Sequence, residues 1–112
     1  MKKPIIGITL DSEKKKTYSK FPWYALRENY LTSLTKFNAI PFPLLHEKKY
    51  IDDFCHLIDG LIITGGDFDI HPKLYKTSNT QSKNIKNKRT NFELNIFNKF
   101  FKHNKPILGI CG

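Results

Sequence analysis

The sequence is poor in cysteine and has no long apolar run. Its 112 residues include only Cys55 and Cys111, too few for a disulfide framework, and neither stands in a metal-ligand spacing. No apolar stretch approaches the length of a bilayer span. The N-terminus has no small-residue cleavage site of the kind that follows a signal peptide. We therefore expect a cytoplasmic protein with no metal site and no membrane partner.

Arginine is also scarce, although the chain is strongly basic. The formal net charge of +9 is the balance of 19 basic and 10 acidic residues. The basic residues are 17 lysines, scattered over both halves, and only two arginines, Arg27 and Arg89. Arginine is the usual ligand of base edges and phosphate groups. No predicted helix concentrates charge on one face. A nucleic-acid binder, marked by steeply salt-dependent retention of DNA, is therefore a minor alternative, and we expect no nucleic-acid partner.

What the chain does contain is enough apolar sequence for one small domain, at 39% of its residues. Short β-branched runs alternate with helical stripes of apolar residues. This alternation predicts an α/β fold, a three-layer, doubly wound and mostly parallel sheet with helices on both faces. The predicted strands are 5–10, 40–45, 61–64 and 107–110, and the predicted helices are 26–37, 50–58 and 92–101.

Local signals refine the predicted elements. Two prolines within 40–45 indicate a short or edge strand. Asn38 stands where a left-handed residue would end the first helix. Thr90 and Glu93 form a Thr-x-x-Glu pattern that predicts a capping box for the third helix. The segment 67–88 loses apolar periodicity and is predicted as a loop.

Two glycine-containing corners follow buried strands of the predicted sheet. Ligand sites in such sheets lie beyond the carboxyl ends of the strands, where this chain has Gly65-Gly66 and Cys111-Gly112. A cysteine at a sharp strand-end turn is typical of a nucleophile, and backbone N–H groups of the following residue and of a neighbouring glycine loop can form an oxyanion hole.

Simpler interpretations of these corners stay open. A cysteine at a strand end is commonly a buried small apolar residue, and a glycine pair is commonly only a turn. Phosphate or flavin binding at Gly65-Gly66 is a weaker alternative, because no helix follows the glycines directly. We expect no cofactor.

The motifs resemble those of a known family. They are Lys3-Pro-Ile-Ile-Gly-Ile-Thr9, Asn38-Ala-Ile-Pro-Phe-Pro-Leu-Leu45, the run from Asp59 through Gly65-Gly66 to Tyr75, Arg89 with Glu93, and Lys105-Pro-Ile-Leu-Gly-Ile-Cys-Gly112. Together they resemble the gamma-glutamyl hydrolase branch of class I glutamine amidotransferase-like proteins, and most the gamma-glutamyl-gamma-aminobutyrate hydrolases of peptidase family C26. The resemblance implies a flavodoxin-like fold.

The resemblance also implies a mechanism and roles for particular residues. Cys111 matches the nucleophile that attacks a gamma-glutamyl amide to give a thioester, and Gly66 and Gly112 match the oxyanion-hole donors, with Gly65 beside them. Arg89 is a candidate ligand for a substrate carboxylate, although loop arginines are commonly only solvated. The sequence has Arg89-Thr90 where the family often has Arg-Asp.

The largest departure from the family is the end of the chain. Members carry a catalytic histidine and its carboxylate after the nucleophile, whereas this sequence ends at Gly112. Of its own histidines, only His71, in the loop after the glycine pair, is expected near the thiol; His46, His56 and His103 are poorly placed for a base. We therefore expect residues 1–112 to be the N-terminal part of a glutamine amidotransferase-like domain, truncated after the nucleophile strand, without a second domain and inactive alone.

Other functions remain for such a chain. A separate polypeptide carrying the C-terminal half is a possible partner, next to a small gamma-glutamyl amide substrate. The alternative is a non-catalytic binding or interaction module on the same half-fold, in which uncovered apolar surface would favour self-association.

Overall fold

The structure is a computed structural model that describes residues 2–14, 16–65 and 87–110. A short 3-10 turn over Lys48–Tyr50 precedes the second helix. The elements follow in the order β1 (Ile5–Thr9), β2 (Asp11–Glu13), β3 (Trp23–Ala25), α1 (Glu28–Lys36), β4 (Ile40–Leu44), α2 (Ile51–Leu57), β5 (Gly60–Ile63), α3 (Asn87–Lys102) and β6 (Ile107–Gly109).

Four of the strands form one parallel sheet in the spatial order β4-β1-β5-β6. The chain first moves from β1 outward to β4 and then crosses back to β5 and β6. Because such crossovers are right-handed, this reversal places α1 on one face of the sheet and α2 and α3 on the other. The predicted three-layer α/β fold is confirmed.

The sheet position of β4 agrees with its two prolines. Pro41 and Pro43 are in register with Ile6 and Ile8 of β1, and β4 has no other neighbour among the described strands. A proline has no N–H to donate, so an edge strand tolerates it best. The predicted edge strand is confirmed, and so is the left-handed Asn38 after α1, which has φ of 60°.

The main core lies between the sheet and the helices α2 and α3. Phe54 of α2 and Phe92 of α3 meet edge to face with ring centroids 6.3 Å apart. Gly7 lets the side chains of Ile58 and Leu44 pack closely over β1, because a Cβ at Gly7 would lie 2.9 Å from Ile58 Cδ1. The buried cluster consists of Leu44, Ile51, Phe54, Cys55, Ile58, Leu61, Phe92, Ile96 and Phe100. Cys55 is therefore a core residue, as free cysteines commonly are.

Two features differ from the prediction. Residues 11–13 and 23–25 pair as an antiparallel hairpin, which the polar sequence after the first strand did not indicate. The helix α3 begins at Asn87, so Thr90 lies inside its first turn and is not an N-cap. The predicted capping box is wrong, because Glu93 binds a side chain one turn earlier in the same helix.

Lys105, which follows α3 in the sequence, binds the end of α2. Its ammonium group donates hydrogen bonds to the carbonyl oxygens of Cys55 and Ile58, the latter at 2.7 Å. These carbonyls lie at the C-terminal end of α2, where the helix dipole favours a cation.

Within the described ranges, no helix is long and apolar enough to cross a bilayer.

Candidate active site

The carboxyl ends of β5 and β6 meet at one edge of the sheet. Ile63 is in register with Gly109, and the Ile110 N–H donates to the Ile63 carbonyl at 2.8 Å. Gly65 stands two residues beyond Ile63, and Ile110 directly precedes Cys111 in the sequence. Of the predicted site residues, Gly65 and Arg89 are described.

The remaining predicted site residues, Gly66, Cys111 and Gly112, lie outside the described residues, as does His71. Their roles stay predictions. A Cβ added at Gly109, two residues before Cys111, would meet no described atom within 4 Å.

Two buried threonines join the end of β5 to the end of β1. The Thr64 N–H donates to Thr9 Oγ1 at 3.0 Å, and Thr64 Oγ1 donates to the Thr9 carbonyl at 2.9 Å. Both side chains are almost fully buried. Buried polar groups are stable only when they are hydrogen-bonded. Here the two hydroxyl groups bind a backbone N–H and a backbone carbonyl that lie beyond the last pair of the β1–β5 ladder. The chain therefore enters the glycine corner from a fixed position.

Arg89 of α3 is fully buried and binds this threonine pair. Its Nη2 donates to the Thr64 carbonyl at 2.6 Å and to Thr64 Oγ1 at 3.0 Å. The same nitrogen lies 3.1 Å from Glu93 Oε2, one helical turn further along α3. Nη1 lies 3.3 Å from Asp11 Oδ1 in the hairpin. Two carboxylates and a carbonyl thus compensate the cost of burying the guanidinium.

The sequence predicts Arg89 in the loop before the third helix, whereas the structure places it within α3. The guanidinium lies inside the protein, with 0% of the residue exposed, and it binds groups of three different elements. It is an internal part of the strand-end structure, and its contact with Thr64 places it one residue from Gly65.

His46 lies at the end of the opposite edge strand, β4. It is 3% exposed, and its Nε2 lies 2.8 Å from the Leu10 carbonyl. Burial lowers the pKa of His46 first of all; the Leu10 hydrogen bond raises it, and the charges of Arg89 and Lys88 lower it further. We therefore infer a neutral imidazole that donates from Nε2 to Leu10.

The three described histidines, His46, His56 and His103, supply no base beside the β5–β6 corner. His46 follows β4, which is three interstrand spacings from β6, or roughly 14 Å. His56 in α2 and His103 after α3 are both exposed. This agrees with the expectation that these three histidines are poorly placed. The described residues also contain no group of three His, Cys, Asp or Glu side chains that could hold a metal ion.

The sequence places Gly65-Gly66 after β5 and Cys111-Gly112 after β6 of this doubly wound parallel sheet. The sequence profile of the peptidase C26 family matches residues 4–112, and the chain belongs to this family. A glutamine amidotransferase-like protein of Rickettsia prowazekii (strain Madrid E) is 44% identical over 113 residues. The alignment covers 97% of this chain and 40% of the length of that relative.

The buried polar cluster was not foreseen, although the sequence carries signals for it. Thr9 and Thr64 each end an apolar strand with a hydroxyl, and Arg89 and Glu93 are four residues apart, the spacing of an ion pair on a helix. The prediction assigned Glu93 to a capping box and Arg89 to the loop before the helix. Only the earlier start of α3 puts both on one helix face.

Proposed function

We propose that this chain is the amino-terminal part of a cysteine-nucleophile hydrolase that cleaves gamma-glutamyl amides. The Cys111 thiolate would attack the amide carbon, the C–N bond would break with release of the amine, and water would hydrolyse the resulting thioester. Gly66 and Gly112, with Gly65 beside them, would donate N–H groups to the oxyanion of the tetrahedral intermediate.

One observation carries this proposal, namely the register of β5 and β6. The bond from Ile110 N–H to the Ile63 carbonyl holds the residue before Cys111 next to the strand that leads into the glycine pair. A nucleophile and an oxyanion hole must lie within about 3 Å of one reacting group, and strand ends in register can meet that requirement. Membership of the peptidase C26 family supports the same chemistry.

We further propose that turnover requires a second polypeptide segment that supplies the base. This chain covers 40% of the length of the Rickettsia relative, and its described residues include no histidine placed beside the β5–β6 corner. The face of β6 opposite α3 supports such a partner, because Leu108 is 56% exposed and Ile110 is 37% exposed there. Apolar side chains at a free sheet edge commonly mark a contact surface.

The test is hydrolysis of gamma-glutamyl-gamma-aminobutyrate by this chain, alone and mixed with a separately produced polypeptide matching the rest of the Rickettsia relative. We expect little turnover alone and measurable turnover in the mixture. Cys111→Ser should abolish it, whereas Cys55→Ser, in the core, serves as the matched control. Full activity of Cys111→Ser would refute the nucleophile, and robust turnover by the chain alone would refute the need for a partner.

A further inference from the structure

The peptide bond between Thr64 and Gly65 is held by a buried cation. Arg89 Nη2 lies 2.6 Å from the Thr64 carbonyl oxygen, and the arginine is fully buried. We propose that Arg89 is a positioning residue that directs the Gly65 N–H into the oxyanion hole and strengthens it as a donor. The inference rests on the proposed hydrolase function and assigns Arg89 to the oxyanion-hole loop, not to the substrate carboxylate.

The geometry of the peptide group determines the direction of the N–H. A trans peptide is planar, so its C=O and N–H bonds point in opposite directions, and the described chain contains no cis peptide. The Thr64 carbonyl points to Arg89 on α3, and the Gly65 N–H therefore points away from it. Rotation of this peptide would break the 2.6 Å contact and leave a buried guanidinium hydrogen without its acceptor.

The Gly65 N–H is free to donate within the described structure. The parallel ladder between β5 and β6 ends with the bond from Ile110 N–H to the Ile63 carbonyl, and no described acceptor takes the next N–H, that of Gly65. An N–H at a strand end that is oriented but unpaired has the properties required of an oxyanion donor.

The charge of Arg89 also affects the strength of this donor. A hydrogen bond from a cation to a carbonyl polarises the amide, and polarised amides donate more strongly in a low-dielectric interior. Glu93 and Asp11 hold the guanidinium without occupying the Thr64 carbonyl. Because Glu93 lies one turn further along α3, the helix that carries Arg89 also helps to fix the position of the cation.

The first arm of the test is NMR on the 112-residue chain. Arg89→Met removes the charge but keeps much of the side-chain length, and Arg89→Lys keeps the charge in case the methionine variant does not fold. Arg27→Met, at an exposed arginine before α1, is the matched control. We expect upfield shifts of the Thr64 carbonyl carbon and the Gly65 amide nitrogen in Arg89→Met, smaller ones in Arg89→Lys and none in Arg27→Met.

The second arm measures kinetics in the two-polypeptide mixture described above. Loss of an oxyanion donor lowers kcat by about 100-fold or more. We expect Arg89→Met to lower kcat by roughly that factor with little change in KM, and Arg89→Lys to recover part of the rate. A substrate-carboxylate ligand would instead raise KM.

The two arms separate the possible failures. If the Thr64 and Gly65 resonances in both Arg89 variants match those of Arg27→Met, the positioning role is wrong whatever the activity. If they shift but kcat is unchanged or KM alone rises, the link to the oxyanion hole is wrong. If the unmodified mixture shows no turnover, the proposed function fails, while the NMR arm still decides whether Arg89 orients the Gly65 peptide.

Discussion

The hydroxyl of Thr64 offers a direct test of the buried polar cluster, because valine replaces it with nearly equal volume. Thr64→Val removes the hydrogen bond to the Thr9 carbonyl and one acceptor of the Arg89 guanidinium. A neutral buried hydrogen bond contributes about 1 kcal/mol and one to a charged group about 1.5–3 kcal/mol. Since the new methyl group recovers about 0.8 kcal/mol by burial, we expect a net loss of about 2–3 kcal/mol in the free energy of unfolding.

Urea denaturation measures this loss. For a domain with an m-value of about 1–3 kcal/mol/M, 2–3 kcal/mol lowers the unfolding midpoint by about 0.7–3 M. Thr9→Val removes the acceptor of the Thr64 N–H, and the double variant should be destabilised by less than the sum of the two, because both residues share one network.

The control for this series is Thr32→Val on the exposed surface of α1, which should change the free energy of unfolding by no more than about 0.5 kcal/mol. If Thr64→Val unfolds at the same urea concentration as Thr32→Val, the hydroxyl does not hold the strand end, and the reasoning about the cluster is refuted.

Three further predictions concern stability. Because burial lowers the pKa of His46 below 6.5, the unfolded chain binds the proton more readily than the folded chain does. This contribution to the free energy of unfolding is fully present above pH 6.5 and is lost as the pH falls to the folded-state pKa, by about 1.4 kcal/mol for each unit by which the pKa is lowered. His46→Gln should remove that part of the pH dependence in urea titrations, and an unchanged dependence would contradict the prediction. Gly7→Ala should cost about 1–3 kcal/mol by overpacking, whereas Gly109→Ala, with open space, should be neutral or slightly stabilising by thermal melting; equal melting temperatures would count against the packing argument. Lys105→Met should cost about 1.5–3 kcal/mol, while the exposed Lys102→Met should cost almost nothing in the same assay.

Much of the sheet could be predicted because its strands are short apolar runs that burial on both faces requires. The central strand Ile5–Thr9 and the edge strand Ile40–Leu44 follow from β-branched residues and from prolines, respectively. Element ends were less accurate. Leu26 and Phe37 share the apolar stripe of α1 but lie outside the helix, and Phe37 is 83% exposed.

The site was predictable in part, for a physical reason. Strand ends in register are a consequence of topology, so the meeting of the carboxyl ends of β5 and β6 at one edge of the sheet could be inferred from the order of elements. The role of Arg89 could not, because it depends on where α3 begins and on partners far away in the sequence, Asp11 and Thr64. The hairpin that carries Asp11 has too few apolar residues to be recognised from periodicity.

The guanidinium of Arg89 collects partners from the hairpin, from the end of β5 and from its own helix. Because such contacts join residues far apart in the sequence, we expect them to form late in folding, after the transition state. Interactions that are absent from the transition state affect the unfolding rate rather than the folding rate. The cluster should therefore slow unfolding and so prolong the lifetime of the native state.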